Sequence, residues 1–270
     1  MSRVERGDRK QTMATTADRV LGLLSLFTEQ RARWTVEEAA EVLTIPTSTA
    51  YRYFRSLAEA ELLSSDMPGS YVLGPAVCAL DRAMLVNDPF INAAAGEMSR
   101  LAADHPDTIV LLTRLYRDTV MCVHREGDRL AADGYERGRP MPLDRGAASK
   151  VILANLSPRQ FRALARTKSA GEGIGAPRLQ DALRGIRAQG YAITKGEIDP
   201  DKIGLSVPVL RDDNSVEGSL SFVLRKSSLC DEHQLLAELI RGRKAIEGNL
   251  LLARLRATHS DTSGADDPTE

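Results

Sequence analysis

The stretch PTSTAYRYFRSLAEAELL, residues 46–63, decides how the first third of the chain folds. Small, aromatic and aliphatic residues recur in it at steps of three and four, which places Ala50, Tyr53, Phe54 and Leu57 on one face of a helix. The opposite face carries the polar residues Ser48, Tyr51, Arg52 and Arg55. We therefore predict an amphipathic helix that packs through one face and leaves the other available to a partner.

The residues before and after this helix indicate a small helical domain that ends in a hairpin. Apolar residues at helical spacing predict a first helix over residues 16–30. Thr35 precedes a second, short helix, VEEAAEVL, whose first-turn glutamates suit the positive end of the helix dipole. The segment LLSSDMPGSYVLGP, residues 62–75, predicts two short strands joined by a turn. This order of elements is typical of a winged helix-turn-helix.

The rest of the chain predicts a second domain in which strands and helices are mixed. A helical stretch over residues 76–86 ends at Asn87, Asp88 and Pro89, where we place the joint between the domains. A helix follows over residues 90–103. The predicted strands are residues 108–117, 119–126, 130–138, 191–197, 205–211 and 219–225, and the predicted helices are residues 147–154, 158–167, 179–189 and 231–257. The predicted fold class is therefore α+β, with a sheet packed on helices.

The composition excludes several classes of protein. The 270 residues are 43% hydrophobic, which is enough for buried cores, and the net charge of -1 argues against a chain that coats nucleic acid indiscriminately. No apolar run is long enough to cross a bilayer, and the N-terminal sequence lacks the apolar stretch of a secretion signal. We therefore expect a cytoplasmic protein with no membrane partner.

The cysteines, histidines and glycines give little support to an enzyme. Cys78, Cys122 and Cys230 are odd in number and far apart, so neither a disulfide framework nor a zinc site is predicted. Cys122 and His124 lie two apart on one predicted strand and leave open a cysteine-dependent hydrolase, although no oxyanion site is indicated. The histidines lack metal-ligand spacing, and the loop GEGIGAP, residues 171–177, follows no strand. We expect no metal and no cofactor.

Five segments, in order and over nearly the whole chain, resemble the IclR family of transcriptional regulators. TADRVLGLLSLFTEQ is similar to the family's opening helix, LTIPTSTAYRYFRSLAEAELLSS to its recognition helix, and GSYVLGP to the exit of its wing. GRPMPLDRGAASKVILA resembles the segment that leads into a pocket-lining helix, and GYAITKGEIDPDKIGLSVPVLRDDNSVEGSLSF resembles its signature loop and strands. The resemblance implies an N-terminal winged helix-turn-helix joined by a linker helix to a GAF-like α/β effector-binding domain.

The resemblance also implies an organisation and a set of partners. The expected parts are a basic flexible arm (1–15), a winged helix-turn-helix DNA-binding domain (16–75), a linker helix (76–89), an effector-binding domain (90–257) and an acidic disordered tail (258–270). Members of the family usually bind palindromic double-stranded operator DNA as a homodimer or a dimer of dimers. They respond to small carboxylates or aromatic metabolites, so we expect such an effector here.

The candidate DNA contacts lie mainly on the helix quoted first. Hydroxyl groups in its first turn stand where exposed backbone N–H groups and the helix dipole attract phosphate. Arginine and tyrosine side chains farther along can reach phosphates or base edges in the major groove. The predicted DNA contacts are Thr35, Thr47, Ser48, Thr49, Tyr51, Arg52, Arg55 and Ser70.

The candidate effector contacts come from three segments. Asp144, Arg145 and Gly146 lead into a predicted helix, where backbone N–H groups and a guanidinium can converge on a carboxylate, so Arg145, Gly146, Ala147 and Ser149 are predicted at the anion end. The family pattern adds Thr194, Lys202, Gly204 and Ser221 to the same cavity. Met121 and Val123 alternate along one strand with Cys122 and His124, so one of these pairs faces the ligand, and we assign Met121 and Val123.

The chain departs from the family pattern at several of these positions. Thr44 and Ile45 stand where the family often has a glycine, and Thr47 stands where a basic residue is common. Asp144 and Arg145 replace the histidine or small polar residues of many members, and Gly204 replaces a frequent serine or cysteine. The identity of the effector is therefore not carried over from the family.

These observations together predict a ligand-responsive, sequence-specific transcriptional regulator and not an enzyme. By family habit it is a repressor of a catabolic operon, with a small organic acid or an aromatic metabolite as effector. Two alternatives stay open at this point, which are a hydrolase that uses Cys122 and an oligomeric scaffold that binds no ligand.

Overall fold

The computed structural model describes residues 15–127, 134–167, 173–228 and 230–263. The predicted arm and tail lie largely outside these residues. The chain divides into two compact units, Met1–Asn87 and Asp88–Glu270. Within the described ranges, no helix is both long enough and apolar enough to span a membrane.

The first unit has the predicted order of helices and strands. Its elements are α1 (Thr16–Leu24), β1 (Trp34–Thr35), α2 (Val36–Leu43), α3 (Thr47–Glu59), β2 (Leu63–Met67), β3 (Ser70–Leu73) and α4 (Pro75–Asn87). The three strands form an antiparallel sheet in the order β1-β3-β2. Helices α2 and α3 with the β2–β3 hairpin form the winged helix-turn-helix.

The core of this unit is the apolar face of α3. Ala50 and Phe54 are fully buried, Tyr53 and Leu57 are at most 5% exposed, and all four pack in one cluster with residues of α1, α2 and β2. The ring of Phe54 lies 4.8 Å from that of Tyr71 on the wing. The face predicted to pack is therefore the face that packs.

Helix α1 is shorter than predicted. Its regular hydrogen bonding ends at Leu24, and the backbone N–H groups of Leu26 and Phe27 instead donate to carbonyls three residues earlier. The indole of Trp34 donates to the Leu26 carbonyl at 2.9 Å and fixes this tighter turn. Phe27 is buried and keeps the apolar spacing of the helix, although it lies after the last helical residue. The spacing therefore predicted a longer helix than the backbone forms.

The second unit is a six-stranded sheet between helices. Its elements are α5 (Pro89–Asp104), β4 (Thr108–Tyr116), β5 (Thr119–Gly127), β6 (Pro140–Met141), α6 (Ala147–Asn155), α7 (Pro158–Thr167), a 3-10 turn (Gly173–Gly175), α8 (Pro177–Gln189), β7 (Ala192–Lys195), β8 (Lys202–Leu210), β9 (Val216–Arg225) and α9 (Glu232–Ser263). Every pairing is antiparallel, in the order β6-β5-β4-β9-β8-β7. The predicted α+β class is confirmed.

The two faces of the sheet are covered by different helices. Helix α9 packs on α5, and Phe90 of α5 covers β9 so closely that a Cβ on Gly218 would lie 2.7 Å from its ring. The other face packs on α6, where Ala147 lies beside Gly204 of β8. Alternation along β9 therefore turns Gly218 toward α5, and Ser221 and Val223 toward α6.

One predicted strand is wrong. Of residues 130–138, the first four lie outside the described part of the chain, and residues 134–138 form no strand. Gly134 and Gly138 both have positive φ angles, of 97° and 85°, which interrupt extended backbone. The N–H of Gly138 donates to the carbonyl of Cys122, and the two-residue strand β6 pairs with β5 instead.

Candidate functional site

The first turn of α3 presents its hydroxyl residues to solvent. Thr47 and Ser48 are exposed and Thr49 is half-buried. The residue before the helix is Pro46, and no side chain caps the helix by a hydrogen bond. The N-terminus of α3 is thus suited to receive an external anion such as a phosphate.

The outer face of α3 carries the predicted arginines and tyrosine. The hydroxyl of Tyr51 donates to Glu37 of α2 at 2.9 Å, and this hydrogen bond to a carboxylate raises the pKa of Tyr51. Arg55 is paired with Glu59 at 2.8 Å, one turn later on the same helix. Arg52 is also exposed, and among the described residues it has no ion-pair partner. Of the two arginines, Arg52 is therefore the one without a carboxylate partner among the described residues.

Thr35 and Ser70 are placed less favourably for DNA than predicted. Thr35 caps α2: its hydroxyl accepts from the Glu38 N–H at 3.3 Å and donates to the Glu38 carboxylate at 3.0 Å. The backbone N–H of Thr35 also donates to the Glu38 carboxylate at 3.0 Å, and this bond, with that from the hydroxyl, lowers the pKa of Glu38. Ser70 is 7% exposed at the start of β3. The hydroxyl of Thr35 is thus already used as a helix cap and that of Ser70 is buried, and their contact with DNA stays a prediction.

The turn between α2 and α3 bends at Thr44. This residue has φ 55° and ψ 49°, the left-handed region that glycine adopts without steric cost. Its N–H donates to the carbonyls of Ala40 and Glu41, so it ends α2 as glycine commonly does. The threonine that stands here in place of glycine therefore keeps the backbone conformation and carries the strain.

The second unit contains a narrow cavity of about 30 Å³ between α6 and the sheet. Strands β4, β7, β8 and β9 form one wall, the N-terminus of α6 another, and the loop that joins β7 to β8 a third. The lining residues are Leu111, Tyr135, Met141, Gly146, Ala147, Ala148, Thr194, Glu197, Ile198, Asp199, Lys202, Gly204, Ser221 and Val223.

A carboxylate of the chain itself occupies the N-terminus of α6. The N–H of Gly146 donates to Glu197 Oε2 at 2.9 Å, and Lys150 Nζ lies 2.5 Å from Glu197 Oε1. Gly146 has φ 84°, an angle that glycine adopts without steric strain, and the chain enters the helix from this turn. The carboxylate at the N-terminus of α6 is therefore that of Glu197, and binding of an external acid at this position stays a prediction.

The cation that faces the cavity is Lys202. Its side chain is 11% exposed, and Nζ lies 3.8 Å from Asp199 and 4.9 Å from the ring centre of Tyr135. Burial raises the pKa of Tyr135 to about 12, so its phenol stays protonated at neutral pH. Lys202 and Tyr135 offer a positive charge and a hydrogen-bonding group beside apolar walls.

The predicted effector residues fall into two sets. Gly146, Ala147, Thr194, Lys202, Gly204 and Ser221 line the cavity. Arg145 points away, with a side chain 60% exposed and 3.6 Å from Asp144. Ser149 is fully buried on α6, and its hydroxyl has no hydrogen-bond partner in the described structure. The expectation that Arg145 and Ser149 share the anion site differs from this arrangement.

Met121 and Val123 also lie outside the lining, because β5 is irregular. Leu112 pairs with His124 and Thr113 pairs with Cys122, which leaves Val123 as the extra residue of a β-bulge. Met121 pairs with Arg114 on the face away from α6, whereas Cys122 packs with Leu111 and Tyr135. The alternation expected from the sequence is thus interrupted.

The same bulge separates the thiol and imidazole of the hydrolase alternative. Cys122 faces the α6 side of the sheet, and His124 pairs with Leu112 on the opposite side and hydrogen-bonds to Glu126 at 3.1 Å. Burial raises the pKa of Cys122 to about 12, so it is a protonated thiol at neutral pH. This pair has neither the geometry nor the ionisation of a nucleophile and its base. In the described ranges, no group of three side chains is placed to bind a metal.

Several lining residues were not predicted. The missed residues are Leu111, Tyr135, Met141, Ala148, Glu197, Ile198, Asp199 and Val223. Val223 could have been predicted, because side chains alternate along a strand and Val223 shares a face with Ser221. Leu111 pairs with Ser221 across the sheet and could have been added once the strand pairing was known. Tyr135 lies in an irregular segment and has no such signal.

Family models match both units of the chain. The IclR helix-turn-helix domain matches residues 16–66, and the C-terminal domain of the bacterial transcriptional regulator IclR matches residues 82–246. The HTH-type transcriptional regulator XynR of Escherichia coli is 26% identical over 247 residues, which cover 88% of this chain and 96% of that protein.

Solved structures share the fold. An IclR homologue complexed with 4-hydroxybenzoate from Microbacterium hydrocarbonoxydans has a TM-score of 0.74 at 20% identity, covering 88% of this chain and 100% of the other. The IclR transcriptional regulator of Alicyclobacillus acidocaldarius has a TM-score of 0.69 at 24% identity, covering 87% and 98%.

Proposed function

The chain belongs to the IclR family of transcriptional regulators, and on this premise we propose that it is a repressor whose operator affinity is controlled by a small organic acid. It binds DNA through α3 and the effector in the cavity beside α6, and it acts in the cytoplasm on a catabolic operon. The observation that carries the proposal is the exposed, polar face of α3, on which Arg52 has no ion-pair partner in the part of the chain that the structure describes.

Operator recognition rests on two parts of α3. The uncapped N-terminus and the hydroxyls of Thr47 and Ser48 receive a phosphate, which sets the position of the helix in the major groove. Arg52 and Arg55 then reach base edges or further phosphates, and Tyr51 supports them from the same face.

Arg52→Ala tests this assignment. The operator is first located by footprinting the DNA upstream of the chain's own gene. Fluorescence anisotropy on that duplex should show a loss of about 1–3 kcal/mol in binding, with the unfolding curve unchanged. Arg19→Ala, an exposed arginine on α1, is the matched control and should keep wild-type affinity. Full affinity in a folded Arg52→Ala/Arg55→Ala protein would refute the recognition face.

The effector proposal follows from the chemistry of the cavity. Because Glu197 already takes the α6 N-terminus, the ligand carboxylate pairs with Lys202, and its apolar part lies on Leu111 and Val223. The cavity is narrow, and we expect Ile198, a lining side chain that is 38% exposed, to move when the acid binds. The complex of a related fold with 4-hydroxybenzoate supports an aromatic or similar acid.

Calorimetry with aliphatic and aromatic monocarboxylates tests the effector site. Lys202→Met should weaken binding of the best acid by at least about tenfold, as expected when a charge-assisted contact is lost. Arg145→Ala removes an equal charge outside the cavity and should bind like wild type. Equal binding by Lys202→Met and wild type would place the acid elsewhere.

Effector binding changes operator affinity only through different affinities of the acid for the DNA-bound and free conformations. Relief of repression by the acid requires that the acid favour the free conformation, whereas recruitment requires that it favour the DNA-bound conformation. The anisotropy titration repeated with saturating acid measures this coupling directly, and tighter operator binding in its presence would contradict repression relieved by the effector.

A homodimer on a palindromic operator is the assembly that α4 supports. No residue of this helix is buried, and Val77, Leu80 and Met84 form an apolar stripe at steps of three and four. A second copy of the same stripe would cover it in a symmetric contact. Sedimentation of Leu80→Asp/Met84→Asp should show a smaller species than wild type, and an unchanged species would exclude this surface.

A further inference from the structure

The winged-helix unit has little positive charge for a DNA-binding domain. Residues 15–87 contain six arginines, no lysine and nine acids, and residues 1–14 add four bases and two acids, so residues 1–87 have a net charge of -1. Non-specific attraction to DNA comes from cations that neutralise phosphates. This unit alone therefore attracts the DNA backbone weakly.

Ion pairs within the unit reduce that attraction further. Arg31 lies 2.7 Å from Glu38, Arg33 is paired with Asp66, and Arg55 lies 2.8 Å from Glu59. Half of the arginines between residues 15 and 87 are thus already bound to carboxylates. Each of these arginines would have to leave its carboxylate partner in order to bind a DNA phosphate.

Helices α7 and α8 of the second unit have the opposite balance. They carry six exposed arginines and a single acid, Asp181, which is paired with Arg184. We call this set the arginine surface, and it consists of Arg159, Arg162, Arg166, Arg178, Arg184 and Arg187. The chain as a whole is near neutral, so this surface concentrates positive charge that the rest of the chain offsets.

The arginines of α7 form one stripe that faces away from the core. Arg159, Arg162 and Arg166 follow at steps of three and four, so they share a face and extend over about 10 Å of helix. Phe161 and Leu164 on the other face pack on α6 and α8. The guanidinium groups therefore project from a helix that the core holds in place.

The composition of the surface favours DNA over an acidic protein. In the described parts of α7 and α8, no large apolar side chain is exposed. Protein interfaces take most of their binding energy from buried aromatic and apolar anchors. An apolar groove between α7 and α8, lined by Phe161 and Leu183, lies beside Arg184 and Arg187, but the arginines of α7 do not line it. Arginine donates two parallel hydrogen bonds to a phosphate and needs no such anchor.

We propose that the arginine surface of α7 and α8 is a second, sequence-independent DNA contact that supplies the phosphate neutralisation missing from the winged-helix unit. The proposal rests on the proposed DNA-binding function but not on α3 as the reader of sequence. It makes the second unit a direct contributor to DNA affinity.

The test uses full-length protein and a 60-base-pair duplex of random sequence, so that no operator is needed. Affinity is measured by anisotropy between about 50 and 200 mM NaCl for wild type and for Arg159→Gln/Arg162→Gln/Arg166→Gln. The slope of log affinity against log salt should fall by about 2–3 in the variant, since each lost phosphate contact removes about 0.9.

A matched control separates a local contact from a change in net charge. Arg241→Gln/Arg254→Gln/Arg256→Gln removes three exposed arginines from α9 and should keep the wild-type slope. A wild-type slope in the α7 variant, or an equal loss in both variants, would overturn the proposal. So would loss of binding to poly-glutamate in the α7 variant with an unchanged DNA slope, because the surface would then fit an acidic protein.

The outcomes also separate this proposal from the recognition-helix assignment. Arg52→Ala is read on the footprinted operator, whereas the α7 variant is read on random DNA. The arginine surface is supported if the α7 variant keeps the wild-type ratio of operator affinity to random-DNA affinity but has a lower salt slope. It is overturned if the α7 variant loses that ratio and keeps the wild-type slope.

Discussion

At the scale of single residues, Thr44 shows how a local departure from the family pattern is tolerated. A β-branched residue in the left-handed region is sterically strained, and Thr44 has φ 55°. Tertiary packing of α2 and α3 against one core holds the turn in place in spite of this cost.

Thr44→Gly should therefore stabilise the winged-helix unit by about 0.5–1 kcal/mol, since relief of strain exceeds the entropy cost of glycine. The only tryptophan, Trp34, lies in this unit, so its fluorescence during urea unfolding reports the change. Ser56→Gly, in the regular part of α3, is the control and should destabilise the same transition. A lower midpoint for Thr44→Gly would contradict the strained turn.

Cys122 provides a second prediction at this scale. Burial raises its pKa from 9.0 to about 12, and only thiolates react rapidly with iodoacetamide. At pH 8 we expect native protein to be alkylated at the exposed Cys78 and not at Cys122, as measured by peptide mass spectrometry. Since the folded-state pKa is raised, this thiol favours the folded state below pH 9, and that contribution is lost as the pH rises toward 12. Rapid alkylation of native Cys122 at pH 8 would disprove its burial.

At the scale of elements, α3 combines a packed face with a charged face that is partly neutralised. Glu37 and Glu59 bind Tyr51 and Arg55, the residues that are expected to contact DNA. When such a helix binds DNA, its side chains must give up their carboxylate partners for contacts with the DNA. This cost lowers the affinity for every DNA sequence equally. Discrimination between sequences then depends on the remaining contacts.

Glu59→Gln should therefore raise affinity for random and operator DNA by roughly threefold, because the exposed pair is weak and one repulsive charge is removed. Anisotropy on both duplexes measures the effect. Glu41→Gln, an exposed acid on α2 outside the face of α3, controls for net charge and is expected to change affinity less. Equal gains in both variants would show that the Arg55 pair has no specific influence.

At the scale of the whole molecule, a largely buried ionic network connects the first helix of the second unit, α5, to the sheet of the same unit. Arg114 of β4 lies 2.7 Å from Asp88, which caps α5, and 2.5 Å from Glu217 of β9. Glu217 is 7% exposed and also accepts from Arg211. The network ties α5 to two central strands directly after the boundary between the units.

Glu217→Gln should destabilise the second unit by about 1–3 kcal/mol, since it removes the more buried of the two carboxylates paired with Arg114 and leaves that guanidinium with Asp88 alone. Far-UV circular dichroism should show an earlier transition while the Trp34 fluorescence transition stays in place. Asp212→Asn, which breaks an exposed pair with Arg254, should shift neither by more than about 1 kcal/mol. A joint shift of both probes would instead mean that the two units unfold together.

The sequence by itself determined the fold class, the family and the two faces of α3. Helical and strand periodicity report which residues are buried, and that pattern is local, so Ala50, Phe54 and Leu57 were found from spacing alone. Six of the ten predicted effector residues line the cavity: Gly146 and Ala147 were predicted from the entry into a helix, and Thr194, Lys202, Gly204 and Ser221 from the family pattern.

Only the tertiary structure decided the rest of the site. The bulge at Val123 shifts the register of β5 by one residue, and this reverses which side chains face α6. Glu197 reaches the N-terminus of α6 from 51 residues away, so no local pattern could show that the chain supplies its own carboxylate there. Register and long-range pairing depend on how strands and loops meet in three dimensions, and neither is encoded in the periodicity of a single segment.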